Sequence, residues 1–153
     1  MKKIAVLFIL LGLFTIGAYA QIEDPVQWTW TAVKTGNKTY DLHVKATINT
    51  GWHLYAQDAG AVPDPTSFSF LPNPLLILDG KVNESGALQK VYDPYVKATL
   101  NYYSNRVDFI QKVKLKSAIN TSAKGSVTYV VCNNGGRCLL PKEVPFSIKI
   151  DGK

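Results

Sequence analysis

Long apolar stretches are nearly absent from this sequence. Ile4 to Ile16 is the one almost unbroken run, and it falls short of the roughly 20 residues a membrane-spanning helix needs. No later stretch could cross a bilayer. Cysteine is scarce too, with two residues in 153, so a hydrophobic core rather than cross-links must hold the fold. The two histidines, His43 and His53, stand in no zinc-finger spacing with the cysteines, and neither a metal nor another cofactor is expected. His53, beside Trp52, is read as an ordinary strand residue. The 17 basic residues outnumber the 11 acidic ones but are scattered. Lys112, Lys114 and Lys116 alternate as a solvated strand face does, so nucleic acid is not expected as a partner. No serine motif or paired catalytic carboxylates support a hydrolase. No segment carries an apolar stripe of helical period.

The N-terminus sets the compartment. Lys2 and Lys3 precede the apolar run, and Ala18-Tyr19-Ala20 offers small residues where a signal peptidase cuts. Residues 1–20 therefore read as a secretory signal peptide with cleavage before Gln21. No cysteine follows that point, so a lipid anchor is not expected. Removing residues 1–20 of 153 leaves 133, one domain's worth over 21–153. Without Lys2 and Lys3, the excess of basic over acidic residues falls to 4. The Asn-x-Ser/Thr triplets at Asn37, Asn83 and Asn120 would be glycan acceptors in a eukaryotic secretory protein and carry no information in a bacterial one; the second reading is preferred.

What remains reads as all-β. Trp28 to Val33 is rich in β-formers and stops at Gly36-Asn37. Tyr40, Leu42, Val44, Ala46 and Ile48 alternate with polar residues, which means one buried and one wet face. Trp52 to Tyr55 begins another strand, and residues 56 to 66 are irregular. Ser67 to Phe70 alternates again, and Leu75 to Leu78 is a short strand ending at Asp79-Gly80. Residues 81 to 98 lack periodicity and predict a long loop. Arg106 to Lys116 alternates, with a disturbance at Ile110-Gln111 that suggests a bulge. Val127 to Val131 and Val144 to Ile150 complete about eight strands. Their number predicts an immunoglobulin-like two-sheet β-sandwich, with a closed barrel as the alternative.

The two cysteines, Cys132 and Cys138, enclose Asn133-Asn134-Gly135-Gly136-Arg137. Asn and Gly tolerate positive φ, so this is hairpin-turn chemistry. Residues facing across an antiparallel pair lie about 4.5–5.5 Å apart at Cα, within the range of about 4.4–6.8 Å that a disulfide accepts. The pair can close. As a staple the bond is poor, because so small a ring contributes only about 2–2.5 kcal/mol. A glycine-rich loop beside a cross-strand bond suits exchange with a partner thiol, and the cation of Arg137 favours a Cys138 thiolate. Spacing alone leaves a structural and a redox-active disulfide both open.

A resemblance narrows the choice. "GSVTYVVCNNGGRCLLPKEVPFSIKI" resembles the end of the N-terminal periplasmic domain of the thiol:disulfide interchange protein DsbD. The likeness runs back through "KVYDPYVKATLNYYSNRVDFIQKV", "PDPTSFSF" and "TGWHLYAQDAG", from about Trp28 to Ile150. It implies an immunoglobulin-like sandwich in the periplasm that passes electrons through its cysteine pair. Thioredoxin-like redox proteins are the implied donor and acceptors. Cys138 would make the mixed disulfide and Cys132 would resolve it. The family's cap loop matches Tyr92-Asp93-Pro94-Tyr95, with Asp93 the acidic group and Tyr95 the aromatic lid, and Tyr55 matches an aromatic lining the site. Pro94 stands where some members carry a second acid, Tyr95 where some carry phenylalanine, and Leu140-Pro141 keeps one of two adjacent prolines. The sequence stops at Lys153, short of the family's membrane conduit and thioredoxin-like domain, so a free-standing version, or a module whose donor and membrane electron conduit are separate proteins, is expected. The rival expectation is a non-catalytic immunoglobulin-like binding module with a structural hairpin disulfide.

Overall fold

In the computed structural model, residues 23–62 and 64–153 are described. The expected signal peptide, residues 1–20, lies outside them. Nine strands follow one another: β1 Val26–Gly36, β2 Thr39–Ile48, β3 Trp52–Gly60, β4 Ser67–Phe70, β5 Leu76–Asp93, β6 Ala98–Leu115, β7 Thr121–Tyr129, β8 Val131–Asn133 and β9 Lys142–Ile150. No helix occurs among the described residues. The strands form two separate antiparallel sheets rather than a closed barrel. The larger runs β1-β2-β6-β3-β8, with β5 also paired to β6; the smaller runs β4-β7-β9.

Alternation builds the core. Tyr40, Leu42, Val44, Ala46 and Ile48 of β2 are all buried, as are Tyr103, Val107, Phe109, Val113 and Leu115 of β6. Against them the smaller sheet sets Ala123, Tyr129, Phe146, Ile148 and Ile150. Phe109, with no exposed surface, sits at the centre. Its ring lies 5.0 Å from that of Phe68 and 6.0 Å from that of Trp28, centroid to centroid. Burying one such side chain is worth about 1.5–3 kcal/mol, so this two-layer core carries the fold.

Four expectations need correction. The loop expected over residues 81 to 98 is mostly strand: β5 runs on to Asp93 and β6 starts at Ala98. Most of β5 is exposed, so no alternation marks it. Its backbone ladder with β6 holds it in place, and that needs no apolar side chains. Second, β6 keeps its phase through Ile110-Gln111. Its ladder with β2 is unbroken there, and Gln111 is buried in the core-facing set. The irregularity lies on β5 between Asp79 and Asn83, and the Gln111 amide donates to the Asp79 and Gly80 carbonyls of that bulge. Third, Val127 to Val131 is not one strand. It breaks at Val130, with β7 in one sheet and β8 in the other. Likewise β3 extends through the stretch expected to be irregular as far as Gly60. There a positive φ of 78° and a close approach to the Thr99 carbonyl admit only glycine.

Candidate functional site

β8 is three residues long and brings Cys132 to the end of the larger sheet. On one side it pairs with β3, where His53 stands opposite Cys132. On the other side the chain returns and Cys138 faces Cys132 in an isolated antiparallel bridge. Backbone bonds from Asn133 N–H to the Arg137 carbonyl and from Leu139 N–H to the Val131 carbonyl, both 2.9 Å, flank that bridge. The cysteines therefore occupy a non-hydrogen-bonded position, the closer kind of antiparallel pair. Their Cα atoms are 3.9 Å apart and the sulfurs are joined.

The loop between them is fixed by one side chain. Asn133 Oδ1 accepts the N–H groups of Gly135 at 3.0 Å and Arg137 at 2.9 Å. Only Gly136 takes a positive φ in this loop, 81°. The asparagine acts as a hydrogen-bond acceptor for the turn, not as a residue of left-handed conformation.

The two sulfurs have unequal surroundings. Cys132 is 2% exposed and packs with Tyr55, Ala59 and Val130 in a small apolar cluster apart from the main core. Cys138 is exposed. Both border a cleft of about 850 Å³ whose walls include Tyr55, Tyr102 and the β5–β6 turn. Cys138 is therefore the sulfur open to solvent, and Cys132 the one the protein encloses.

The sequence-derived site residues fall as follows. Asp93, Tyr95 and Tyr55 all line this cleft with the cysteines. Asp93 first of all makes its own turn: Oδ1 accepts the N–H of Tyr95 at 2.7 Å and that of Val96 at 3.3 Å. Tyr95 stands at the rim, 94% exposed. Tyr55 is buried at 7% exposure. Its phenol is held above the usual range, chiefly by burial and then by the charge of Asp93. Arg137 points elsewhere. Its guanidinium pairs with the Glu23 carboxylate and lies 5.7 Å from the centre of the Trp52 ring, and it is not among the residues lining the cleft. His43 lies on the β2–β6 surface, with Nδ1 2.8 Å from Asp108 Oδ2.

The structure adds His53 and Tyr102. The His53 ring is 4.4 Å from that of Tyr102 and 5.5 Å from that of Tyr55. Burial pushes the imidazole below its ordinary value, and a hydrogen bond with Asn134 opposes this. The period-two signal could have found it. Trp52 and Leu54 point into the core, so His53 and Tyr55 share the opposite face. Among the described residues, no three His, Cys, Asp or Glu side chains group as a metal site, and no helix is long and apolar enough to cross a membrane.

Comparison with known proteins identifies the fold and the family. Residues 21–149 match the family model described as thiol:disulfide interchange protein DsbD, N-terminal. No curated protein matches the chain. The reduced DsbD N-terminal domain of Neisseria meningitidis superposes with a TM-score of 0.51 at 18% identity, covering 81% of this chain and 86% of that one. The N-terminal periplasmic domain of ScsB from Proteus mirabilis gives 0.58 at 15% identity, covering 84% of this chain and 47% of that one. This chain thus spans about half the length of the ScsB domain. At these identities the superpositions establish the immunoglobulin-like sandwich. The match along nearly the whole described chain does more: this protein belongs to the family of DsbD N-terminal domains, a thiol–disulfide exchange module whose two cysteines close a single bond.

Proposed function

We propose that this chain is a periplasmic module relaying electrons from a thioredoxin-like donor to oxidised partner proteins through Cys132 and Cys138. The observation that carries the reading is the asymmetry of the bond. One sulfur is exposed at a cleft and the other is buried beside it, an arrangement that gives a partner one sulfur to attack. A donor thiolate attacks Cys138 Sγ, and the bond to Cys132 breaks. A second donor thiol resolves the mixed disulfide, leaving the pair reduced and the donor oxidised. In the forward step Cys138 attacks a partner disulfide, and Cys132 then attacks Cys138 Sγ and releases the reduced partner.

Thioredoxin-like partners are in keeping with a solved complex of the DsbD and PilB N-terminal domains of Neisseria meningitidis. That structure resembles this chain at 16% identity and a TM-score of 0.51, covering 83% of this chain and 87% of that one. The periplasmic address rests on the leader sequence and the family.

The test is the equilibrium potential of the pair, measured by thiol trapping across dithiothreitol or glutathione ratios. A labile exchange site lies above about −300 mV. A potential well below that, or a pair that never oxidises, would leave the structural-disulfide binding module as the better account.

A further inference from the structure

Across the end of the larger sheet three side chains stand in one row: His53 on β3, Cys132 on β8 and Cys138 on the returning segment. Directly opposed residues in an antiparallel ladder project to the same face, with Cβ atoms about 4.5–5.5 Å apart. All three line the same cleft. Cys132 is closed in on its inner side by Tyr55, Ala59 and Val130. A buried sulfur needs a nearby group to take its proton when it becomes a nucleophile, because bulk water does not reach it freely.

We infer that His53 is the proton carrier of Cys132 during exchange. This rests on the exchange function proposed above. When Cys132 resolves a mixed disulfide, its thiol proton passes to the neutral imidazole of His53. The thiolate attacks Cys138 Sγ, and the departing sulfur leaves with the bonding electron pair and accepts a proton. The two cysteines are oxidised and the partner disulfide is reduced to two thiols. In the reverse direction His53 returns the proton to Cys132 as it leaves.

The groups facing the imidazole suit this role. Tyr55 comes from its own strand, Tyr102 from β6 and Asn134 from the cysteine loop, and Asp93 borders the cleft from the β5–β6 turn. None of the three against the ring is a cation. Burial keeps the ring below 6.5, so it is neutral and able to accept a proton at pH 7. A thiol of pKa about 8.5 is only about 3% ionised at pH 7, and burial lowers that share further, so a base in the same row can raise the rate by pairing its imidazolium with the thiolate as it forms.

The experiment mixes the reduced protein with oxidised glutathione and follows resolution of the glutathione mixed disulfide by acid quench from pH 5 to 9. The wild type should rise through an inflection below 6.5 and then level off until the thiol itself ionises. His53→Gln should lack the inflection and resolve at least about fivefold more slowly at pH 7. A smaller loss, or an unchanged profile, would overturn the inference. Should His53→Gln fail to fold, the wild-type profile decides: a rise proportional to hydroxide from pH 5 to 8 refutes it. Absence of any mixed disulfide would instead sink the exchange function itself.

Discussion

Reducing the Cys132–Cys138 bond should leave the sandwich standing. The bond joins residues 6 apart in sequence, and the loop-entropy relation gives such a ring about 2.3 kcal/mol. That figure is an upper bound here. The same loop is already closed by the Asn133–Arg137 and Leu139–Val131 backbone bonds and by Asn133 Oδ1. Cys132 also belongs to the small cluster with Tyr55 and Val130, not to the main core around Phe109. For a domain of this size a loss of 2.3 kcal/mol lowers the melting temperature by no more than about 9 °C. Urea unfolding of the wild-type protein, oxidised and then held in excess dithiothreitol, measures the difference. Chemical reduction is the right perturbation, because a serine at position 132 would bury a hydroxyl without an assured partner. By the thermodynamic cycle, folding then lowers the potential of the pair by at most about 50 mV relative to the unfolded chain. A reduced protein that unfolds, or one that loses more than about 4 kcal/mol, would refute the reasoning and make the bond a staple.

Three further outcomes follow from the same geometry. Tyr95→Ala should change stability and the rate of reduction by dithiothreitol by less than about 0.5 kcal/mol, or about twofold, because a side chain this exposed shields little; a stopped-flow trace showing a large acceleration would show that Tyr95 covers the sulfurs. Arg137→Ala should cost about 1 kcal/mol in urea unfolding through its lost contacts with Trp52 and Glu23, and should leave the titration of the Cys138 thiol, followed at 240 nm, where it was. His53 is held lower in the folded chain than its ordinary 6.5, so below that value the unfolded chain binds more protons. Stability should therefore rise with pH through this region, and calorimetric scans of His53→Gln should show a shallower rise.

The strands that were legible in the sequence are those with one wet and one dry face. β2 announces itself because Tyr40 to Ile48 alternate without a break. β5 is silent because it is exposed along most of its length, and hydrophobic period can report only on a buried face. Gln111 misleads for a related reason. A buried amide satisfied by the carbonyls of a bulge looks, in sequence, like a break in phase. At the site, the cysteine turn could be read from Asn and Gly alone. The neighbourhood of Asp93, Tyr95 and Tyr55 came from the family resemblance, since nothing local connects them to Cys132. Period two puts His53 on the face of Tyr55, but its partnership with Cys132 is made by strand pairing across 79 residues, which no short window contains.

β7 and β9 are direct partners, paired from Thr121 and Ile150 down to Tyr129 and Lys142. Everything from Val130 to Pro141, both sulfurs included, is therefore the tip of a single hairpin. A two-residue turn in its place would still let the two strands meet. The reactive segment is in this sense an extension of one hairpin that crosses to the other sheet, where β8 pairs with β3 and Val131 is buried in the main core. The exposed turn from Asn134 to Arg137 can vary without disturbing that core, so among related chains it is the place to look for altered partner choice.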